Sequence, residues 1–302
     1  MKFKSFINNV LYISLVLLAA SCVTVIVSEE QVPELRENPY KGKEKPLILA
    51  VYHPYPSFTT TVEAPVRPLP GYDGWSNNRM ERDLQRMQEA GLDGVLLFVK
   101  PEDLADAIRF ERIRHFYELA SARQPVFRIV LVLDGNNEIS TDNAAQFIKR
   151  KGLADFQCTL RLHSRPVLAF NKSIRLVRNN GMASSNFCIR HIGHDWTVPP
   201  MGANFDHPAP FDGFIWVKAG DCHAAVDNSE NSALSRQGTW SLPRGKGRNF
   251  ANRLRKAFQE KADIICIQSW NDFTDGSFLE PNTLDNNIML TVLRREIAIL
   301  DK

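Results

Sequence analysis

Two aspartates, Asp272 and Asp275, lie three residues apart in a polar, turn-forming segment, Trp270-Asn-Asp-Phe-Thr-Asp-Gly276. The run before it, Asp263-Ile-Ile-Cys-Ile-Gln-Ser269, is apolar and rich in β-branched residues, which predicts a buried strand. Polar residues that follow a buried strand are where α/β folds place their chemistry. We therefore predict that both carboxylates line one pocket. The same residue types are also typical of a turn that caps a helix, so this second interpretation stays open.

A pair of carboxyl groups suits the hydrolysis of a glycosidic bond. One carboxylic acid protonates the leaving oxygen, and a second carboxylate acts as a base or as a nucleophile. Asp272 and Asp275 supply both groups if the turn points their side chains in the same direction.

Alternating strand and helix signals run through residues 46–302. Seven strands are predicted, at residues 46–53, 94–99, 126–133, 166–170, 187–192, 213–217 and 263–269. A weaker strand is predicted within 221–242. Repeated strand and helix units indicate parallel strands joined by helical crossovers, and about 255 residues with eight units is the size of a single-domain (β/α)8 TIM barrel. An open doubly wound sheet is the alternative, but no GxGxxG motif follows the first strand.

In a barrel, the residues that follow the strands converge on one mouth. Here they are mostly aromatic, acidic, amide and basic side chains: Tyr52, His53, Tyr55, Lys100, Asp134, Asn171, His191, His194, Trp216, Lys218, Trp270, Asn271, Asp272 and Asp275. Aromatic rings stack on the apolar faces of sugars, and carboxylates and amides bind hydroxyl groups. The set therefore predicts a carbohydrate ligand. No cofactor is predicted, and no metal, because His191, His194 and Asp195 lack a further ligand at a usual spacing.

The segment Ser269-Trp-Asn-Asp-Phe-Thr-Asp-Gly-Ser-Phe-Leu-Glu-Pro281 resembles the Trp-Asn-Glu-Trp-x-Glu-Gly-x-x-Ile-Glu-Pro signature of glycoside hydrolase family 99. These are the endo-α-mannosidases and their polysaccharide-locus relatives of the WbsX-like type. The segment is also similar to the Trp-Asn-Asp-Tyr-Gly-Glu-Ser signature of family 71, the α-1,3-glucanases. Val51-Tyr-His-Pro-Tyr-Pro56 and Met87-Gln-Glu-Ala-Gly-Leu-Asp-Gly94 resemble further parts of these barrels, so the resemblance runs thinly over residues 47–280.

The resemblance implies a TIM barrel that hydrolyses internal α-linkages of an α-mannan or α-glucan, in a polysaccharide or glycan. Asp275 matches the acid/base that protonates the glycosidic oxygen. Asp272 matches the residue that, in family 99, acts on the sugar's own 2-hydroxyl to form an anhydro-sugar intermediate, and that is the partner carboxylate in family 71. Eight further residues are candidate substrate contacts: Tyr52, His53, Tyr55, Asp134, Trp216, Trp270, Asn271 and Glu280.

The sequence departs from both families at Asp275, where each has glutamate. The shorter side chain withdraws the carboxyl group by about 1.5 Å. A displacement of this size lowers a rate by orders of magnitude unless the backbone compensates. The alternative function is therefore a catalytically impaired protein on the same barrel, which binds glycans or assists polysaccharide biosynthesis.

The N-terminal residues predict export. Two lysines and the apolar run Val10–Ala20 precede Ala19-Ala-Ser-Cys22, which resembles the lipobox of bacterial lipoproteins. We expect a signal peptide over residues 1–22 and a lipid on Cys22, which would attach the chain to a membrane in the cell envelope. Apolar residues to Val27 make an uncleaved anchor or plain secretion the alternatives. A polar linker over 28–45 then leads to the barrel at 46–302.

The composition is that of a globular protein, with 44% hydrophobic residues, 24% charged residues and a net charge of +3. No block of basic residues is interleaved with aromatics, so nucleic acid is not predicted as a partner. Cys188 and Cys266 lie within predicted strands and are expected to be buried thiols. A disulfide between Cys158 and Cys222 stays possible in an exported chain.

Overall fold

A computed structural model describes residues 45–54, 66, 68–71, 74–135, 138–162, 164–171, 173–177, 186–192, 196–197, 214–219, 244–260, 263–273 and 277–300. All of them belong to one compact unit, Tyr40–Lys302. Its framework is a curled, half-barrel sheet of seven parallel strands. These strands are β1 (Leu47–Tyr52), β2 (Gly94–Val99), β3 (Arg128–Leu133), β4 (Arg165–Asn171), β5 (Cys188–Ile192), β6 (Phe214–Lys218) and β7 (Ile264–Gln268).

Five of the six described helices lie in the connections between successive strands, and the sixth follows β7. They are α1 (Asn77–Glu89), α2 (Pro101–Ala105), α3 (Ala107–Ser121), α4 (Thr141–Arg150), α5 (Arg248–Gln259) and α6 (Ile288–Leu300). Polar side chains begin several of them: the Ser76 hydroxyl accepts a hydrogen bond from the Arg79 amide, and the Asp106 carboxylate accepts one from the Arg109 amide. Among the described helices, none is both long and apolar enough to span a bilayer.

The strands are hydrogen-bonded in the order β6-β7-β1-β2-β3-β4-β5. The first strand of the chain therefore lies between the second and the last, as a sheet that curls toward a barrel requires. All seven confidently predicted strands are confirmed. The weaker strand predicted within 221–242 lies outside the described residues. In the described sheet, β6 and β7 pair directly, from Phe214↔Ile264 to Lys218↔Gln268.

Successive residues of each strand face two separate cores. On β1, Ile48, Ala50 and Tyr52 belong to the outer core between the sheet and the helices. Leu49 and Val51 belong to the inner core on the other side of the sheet. This is the period of two that a strand imposes. The inner core also takes residues from the other strands: Leu96, Val130, Val132, Val167, Ala169, Cys188, Ile192, Ile264 and Cys266.

The cysteines of the described part of the chain are buried, as expected for Cys188 and Cys266. Cys158 is a free thiol in the structure, and Cys222, its possible disulfide partner, lies outside the described residues. The Cys158 Sγ donates a hydrogen bond to the Tyr117 carbonyl at 3.4 Å. Burial raises the pKa of Cys158 to about 11, which keeps the thiol protonated at neutral pH.

Gly94 permits the close pairing of β2 and β3. A methyl group at this position would lie 2.2 Å from the carbonyl oxygen of Arg128, its partner in the ladder. Backbone cannot move aside as a flexible side chain can, so we expect Gly94→Ala to lower the free energy of unfolding by about 2 kcal/mol or more. Urea unfolding followed by circular dichroism measures this change.

Gly71→Ala is the matched control for this substitution. An added methyl group at exposed Gly71 meets no atom within 4 Å. We expect its urea midpoint to stay at the parent value. Equal midpoints for both variants would show that β2 and β3 pair less closely than described.

Candidate functional site

The site begins where the chain leaves the sheet after β7. Beyond the end of β7, the Trp270 amide still donates to the Val51 carbonyl of β1 at 2.7 Å. The backbone then turns into a short antiparallel pair, in which Asn271–Asp272 faces Ser277–Phe278. We call residues 271–278 the terminal hairpin. Asp275 lies between its two strands, outside the described residues.

Asp272 and His53 face each other beside this turn. The His53 Nε2 atom lies 3.9 Å from Oδ2 of Asp272, and the two side chains are 26% and 24% exposed. The Asp272 amide donates to the Ser269 hydroxyl at 2.7 Å, and that hydroxyl donates to the Ser277 carbonyl. The Ser269 hydroxyl thus links the two strands of the terminal hairpin, because it bonds to a backbone group of each. The backbone of Asp272 is thus held in place, and its side chain is partly exposed to solvent.

The ends of β2, β3 and β4 contribute the facing side of the site. The Asn171 amide nitrogen donates to Oδ1 of Asp134 at 2.6 Å. The ring of Phe98 lies 5.3 Å from the His53 ring, at an angle of 51°. By the alternation along each strand, His53, Asp134 and Asn171 follow inner-core residues and point to the same side of the sheet. The structure therefore brings three predicted site residues together: His53, Asp134 and Asp272.

Burial changes the proton affinity of His53. It lowers the pKa of the imidazole from its ordinary value of 6.5, because desolvation disfavours the charged ring. The negative charges of Asp272 and Asp134 act in the opposite direction but do not reverse the shift. His53 is consequently neutral at neutral pH, with one ring nitrogen able to donate a hydrogen bond and one able to accept.

Tyr52 lies on the opposite face of the sheet from His53, and its role in substrate binding stays a prediction. The side chain is fully buried in the outer core. Its hydroxyl donates to Oδ2 of Asp83 at 2.9 Å and accepts from Nε1 of Trp75 at 2.9 Å. Burial is the largest of several causes that raise the pKa of Tyr52 well above its usual range. Successive side chains of a strand point to opposite faces of the sheet. Because the His53 side chain faces the site, the Tyr52 side chain faces the helices.

Three residues of the terminal motif are also buried, and their contact with substrate stays a prediction. The side chains of Trp270, Asn271 and Glu280 are fully inaccessible to solvent. Trp270 packs in the outer core, and its carbonyl accepts hydrogen bonds from the amides of Leu279 and Glu280, at 2.9 and 2.8 Å. Glu280 also acts electrostatically on Tyr52. These buried residues therefore help to hold the terminal hairpin in place.

The remaining candidates have different outcomes. Trp216 is partly buried against the inner core, and its contact with substrate stays a prediction. Tyr55, Asp275 and Cys22 lie outside the described residues. Two further residues of the site are not among the predicted substrate contacts: Asn171, which follows β4, and Phe98, which follows Leu96 on the inner face of β2. The period of two along β2 would have identified Phe98.

The described residues show no cluster of three His, Cys, Asp or Glu side chains placed to hold a metal ion. The site consists instead of two carboxylates, one imidazole, one amide and one aromatic ring. Carboxylates accept hydrogen bonds from hydroxyl groups, and an amide both donates and accepts. This arrangement can bind a polyhydroxylated ligand and can move a proton to or from it.

No protein-family model matches this sequence, and no curated protein matches it significantly. Solved structures do resemble the fold. The GH99 endo-α-mannosidase from Bacteroides thetaiotaomicron in complex with bis-tris propane matches with a TM-score of 0.63 at 12% identity, over 84% of this chain and 97% of that chain.

A second structure of that mannosidase matches with a TM-score of 0.56 at 11% identity, over the same shares of the two chains. A glycoside hydrolase-like protein matches with a TM-score of 0.58 at 12% identity, over 85% of this chain and 97% of that chain. At these identities the likeness concerns the fold. The chain thus has the α/β fold of the GH99 endo-α-mannosidase structures, as the resemblance of its terminal motif implied.

Proposed function

We propose that the protein is a glycoside hydrolase that cleaves internal α-linkages, of the α-mannan or α-glucan type, in a polysaccharide or glycan. The observation that carries this proposal is the position of Asp272. It lies on the terminal hairpin after the last strand of a GH99-like fold, partly exposed to solvent, with His53 at 3.9 Å. Asp134 and Asn171 stand at the neighbouring strand ends. Closure of the curled sheet into a full (β/α)8 barrel is part of the proposal.

Each residue of the site has its own role in the proposed reaction. Asp272 acts as a base toward the sugar's 2-hydroxyl, and Asp275 protonates the leaving oxygen, as the motif resemblance implies. The Asp134 and Asn171 pair offers both a carboxylate oxygen and amide groups to further hydroxyls. His53 and Phe98 form the wall beside Asp272, with their rings 5.3 Å apart.

Removing either acidic group should abolish hydrolysis and leave binding intact. We expect Asp272→Asn and Asp275→Asn each to lower kcat by about 10³-fold, the range typical of general acid and base groups. The fragment from Ser28 onward would be incubated with α-mannan and with α-1,3-glucan, and released reducing ends would be assayed. Calorimetry with the same glycans measures binding. Asp155→Asn, a change on an exposed residue outside the site, is the matched control and should keep the parental rate.

The impaired alternative predicts a different result with the same reagents. If the parent binds glycan but releases no reducing ends, the protein is a glycan-binding or biosynthesis accessory protein. The variant Asp275→Glu distinguishes a site that has lost activity from a site whose backbone has adapted to aspartate. For an active hydrolase whose backbone has adapted to aspartate, the longer side chain should lower the rate. A gain in rate would mean that the site has decayed.

Acidification should lower the free energy of unfolding, because burial lowers the pKa of His53 in the folded chain. The folded chain holds the pKa of His53 below 6.5, whereas the unfolded chain titrates near that value. Between the two values the unfolded chain binds more protons, so this contribution is fully present above about pH 6.5 and is lost as the pH falls toward the folded pKa. Urea unfolding at a series of pH values should show the loss, and His53→Gln should reduce it. The same pH dependence in both proteins would exclude His53 as its source.

The proposed hydrolase would act in the cell envelope, attached to a membrane through a lipid on Cys22. This part of the proposal rests on the N-terminal sequence alone, since residues 1–44 lie outside the described part of the chain. We expect Cys22→Ser to move the protein from the membrane fraction to the soluble fraction of a bacterial host that modifies lipoproteins. Metabolic labelling with a palmitate analogue should label the parent and not the variant. An uncleaved anchor would instead leave both in the membrane fraction, without label.

A further inference from the structure

The side chain of Asn271 takes the place of a backbone peptide group at the edge of β1. The last backbone hydrogen bond between this part of the chain and β1 runs from the Trp270 amide to the Val51 carbonyl. One residue later the backbone of Asn271 pairs with Phe278 in the terminal hairpin and is no longer directed along β1. Its side-chain amide continues the pairing: Nδ2 donates to the His53 carbonyl at 2.8 Å, and Oδ1 accepts from the His53 amide at 2.9 Å.

Only an amide of this length can make both bonds. It donates and accepts in one plane, as a peptide group does. An aspartate would turn a second oxygen toward the His53 carbonyl, and an alanine would leave both peptide groups of His53 without this partner. Because Asn271 is fully buried, water cannot readily replace the lost bonds. The pair of bonds therefore fixes the backbone of His53 to the hairpin across 218 residues of sequence.

The neighbouring position on the hairpin faces the His53 side chain. Residue 271 holds the backbone of His53, and residue 272 presents its carboxylate to the ring, 3.9 Å from Nε2. That distance exceeds a hydrogen bond but lies within the reach of a small rotation. Among the described residues, Phe98 from β2 and Asp134 from the end of β3 also face the ring, the latter through its charge. With its backbone fixed, His53 has two side-chain torsions left to set the ring position.

We propose that Asn271 is a positioning residue, whose amide fixes the backbone of His53 so that the imidazole stands ready to accept a hydrogen bond from the Asp272 carboxyl group. The inference rests on the proposed function. In that reaction the sugar's O2 forms a bond to C1 and passes its proton to Asp272, while the bond from C1 to the leaving oxygen breaks and Asp275 protonates that oxygen. Asp272 is then a neutral acid, and its new O–H donates to the unprotonated Nε2 of His53 until the proton returns to the sugar in the second step.

A double-mutant cycle that follows His53 by NMR tests this positioning without any need for activity. The C–H signal of the ring is assigned with His53→Gln and titrated in four proteins: the parent, Asp272→Asn, Asn271→Ala and the double variant. Removing the Asp272 charge should lower the His53 pKa in the parent, because that charge favours the protonated ring. In the Asn271→Ala background the same change should have little effect, since the ring is no longer held against residue 272.

Asn282→Ala provides the matched control. Asn282 is a second fully buried asparagine of the same segment, and its amide donates to the Glu280 carbonyl and to Asp285. In this background the effect of Asp272→Asn on His53 should persist. If Asn271→Ala does not yield folded protein, Asn271→Asp keeps the size of the side chain and replaces it in the cycle. An equal effect of Asp272→Asn with and without Asn271, or no effect in the parent, would overturn the inference.

Kinetics on α-mannan add a second readout. A displacement of a reacting group by about 1 Å can lower activity up to about 100-fold. We expect Asn271→Ala to lower kcat within this range with little change in KM, because a positioning residue acts through His53 and not through a contact with substrate. A raised KM with unchanged kcat would instead mean that Asn271 binds substrate, which contradicts the inference. If the NMR cycle succeeds while even the parent releases no sugar, the positioning stands and the proposed function fails.

Discussion

The peptide groups of His53 lie at the end of β1, where the neighbouring strand β7 has already ended. Buried peptide groups need hydrogen-bond partners, so a strand that outlasts its neighbour must find a substitute. Here the substitute is the amide of Asn271, which makes both bonds while its own backbone enters the terminal hairpin. The chain can therefore leave the sheet while the peptide groups at the end of β1 keep their hydrogen bonds. Asp272 therefore lies on the hairpin, directly after a residue that is hydrogen-bonded to the backbone of His53.

The residues behind the site are as firmly held as the site itself. Tyr52 stacks on Phe116 at 5.4 Å, and its hydroxyl links Trp75 to Asp83 in the outer core. Arg79 lies 3.3 Å from the Asp83 carboxylate, and both are almost completely buried. Removal of one member of such a pair leaves the other charge buried without compensation. The residue before His53 is thus fixed from the helix side, and the backbone of His53 from the hairpin side.

The fold could be predicted well because its signals are local. Each of the seven strands is a short apolar run bounded by turn or charged residues, and the terminal motif alone pointed to the correct fold. The side of the sheet that a residue faces was harder to predict. β1 is apolar on both faces, so its sequence carries no alternation of polarity to show that His53 and not Tyr52 faces the site. The function of Asn271 depends on a contact with a residue 218 positions away, which no local pattern contains.

The position of β1 between β2 and β7 also affects how the chain is made. The partners that cover one edge of β1, Ile264 to Ile267 and then Trp270 and Asn271, are synthesised more than 200 residues after it. Until then an almost wholly apolar strand has one edge unpaired, and such edges readily join other chains. The contacts that complete the site are therefore the same ones that close this edge. Shortening the chain before residue 264 would remove the site and leave an aggregation-prone sheet in the same step.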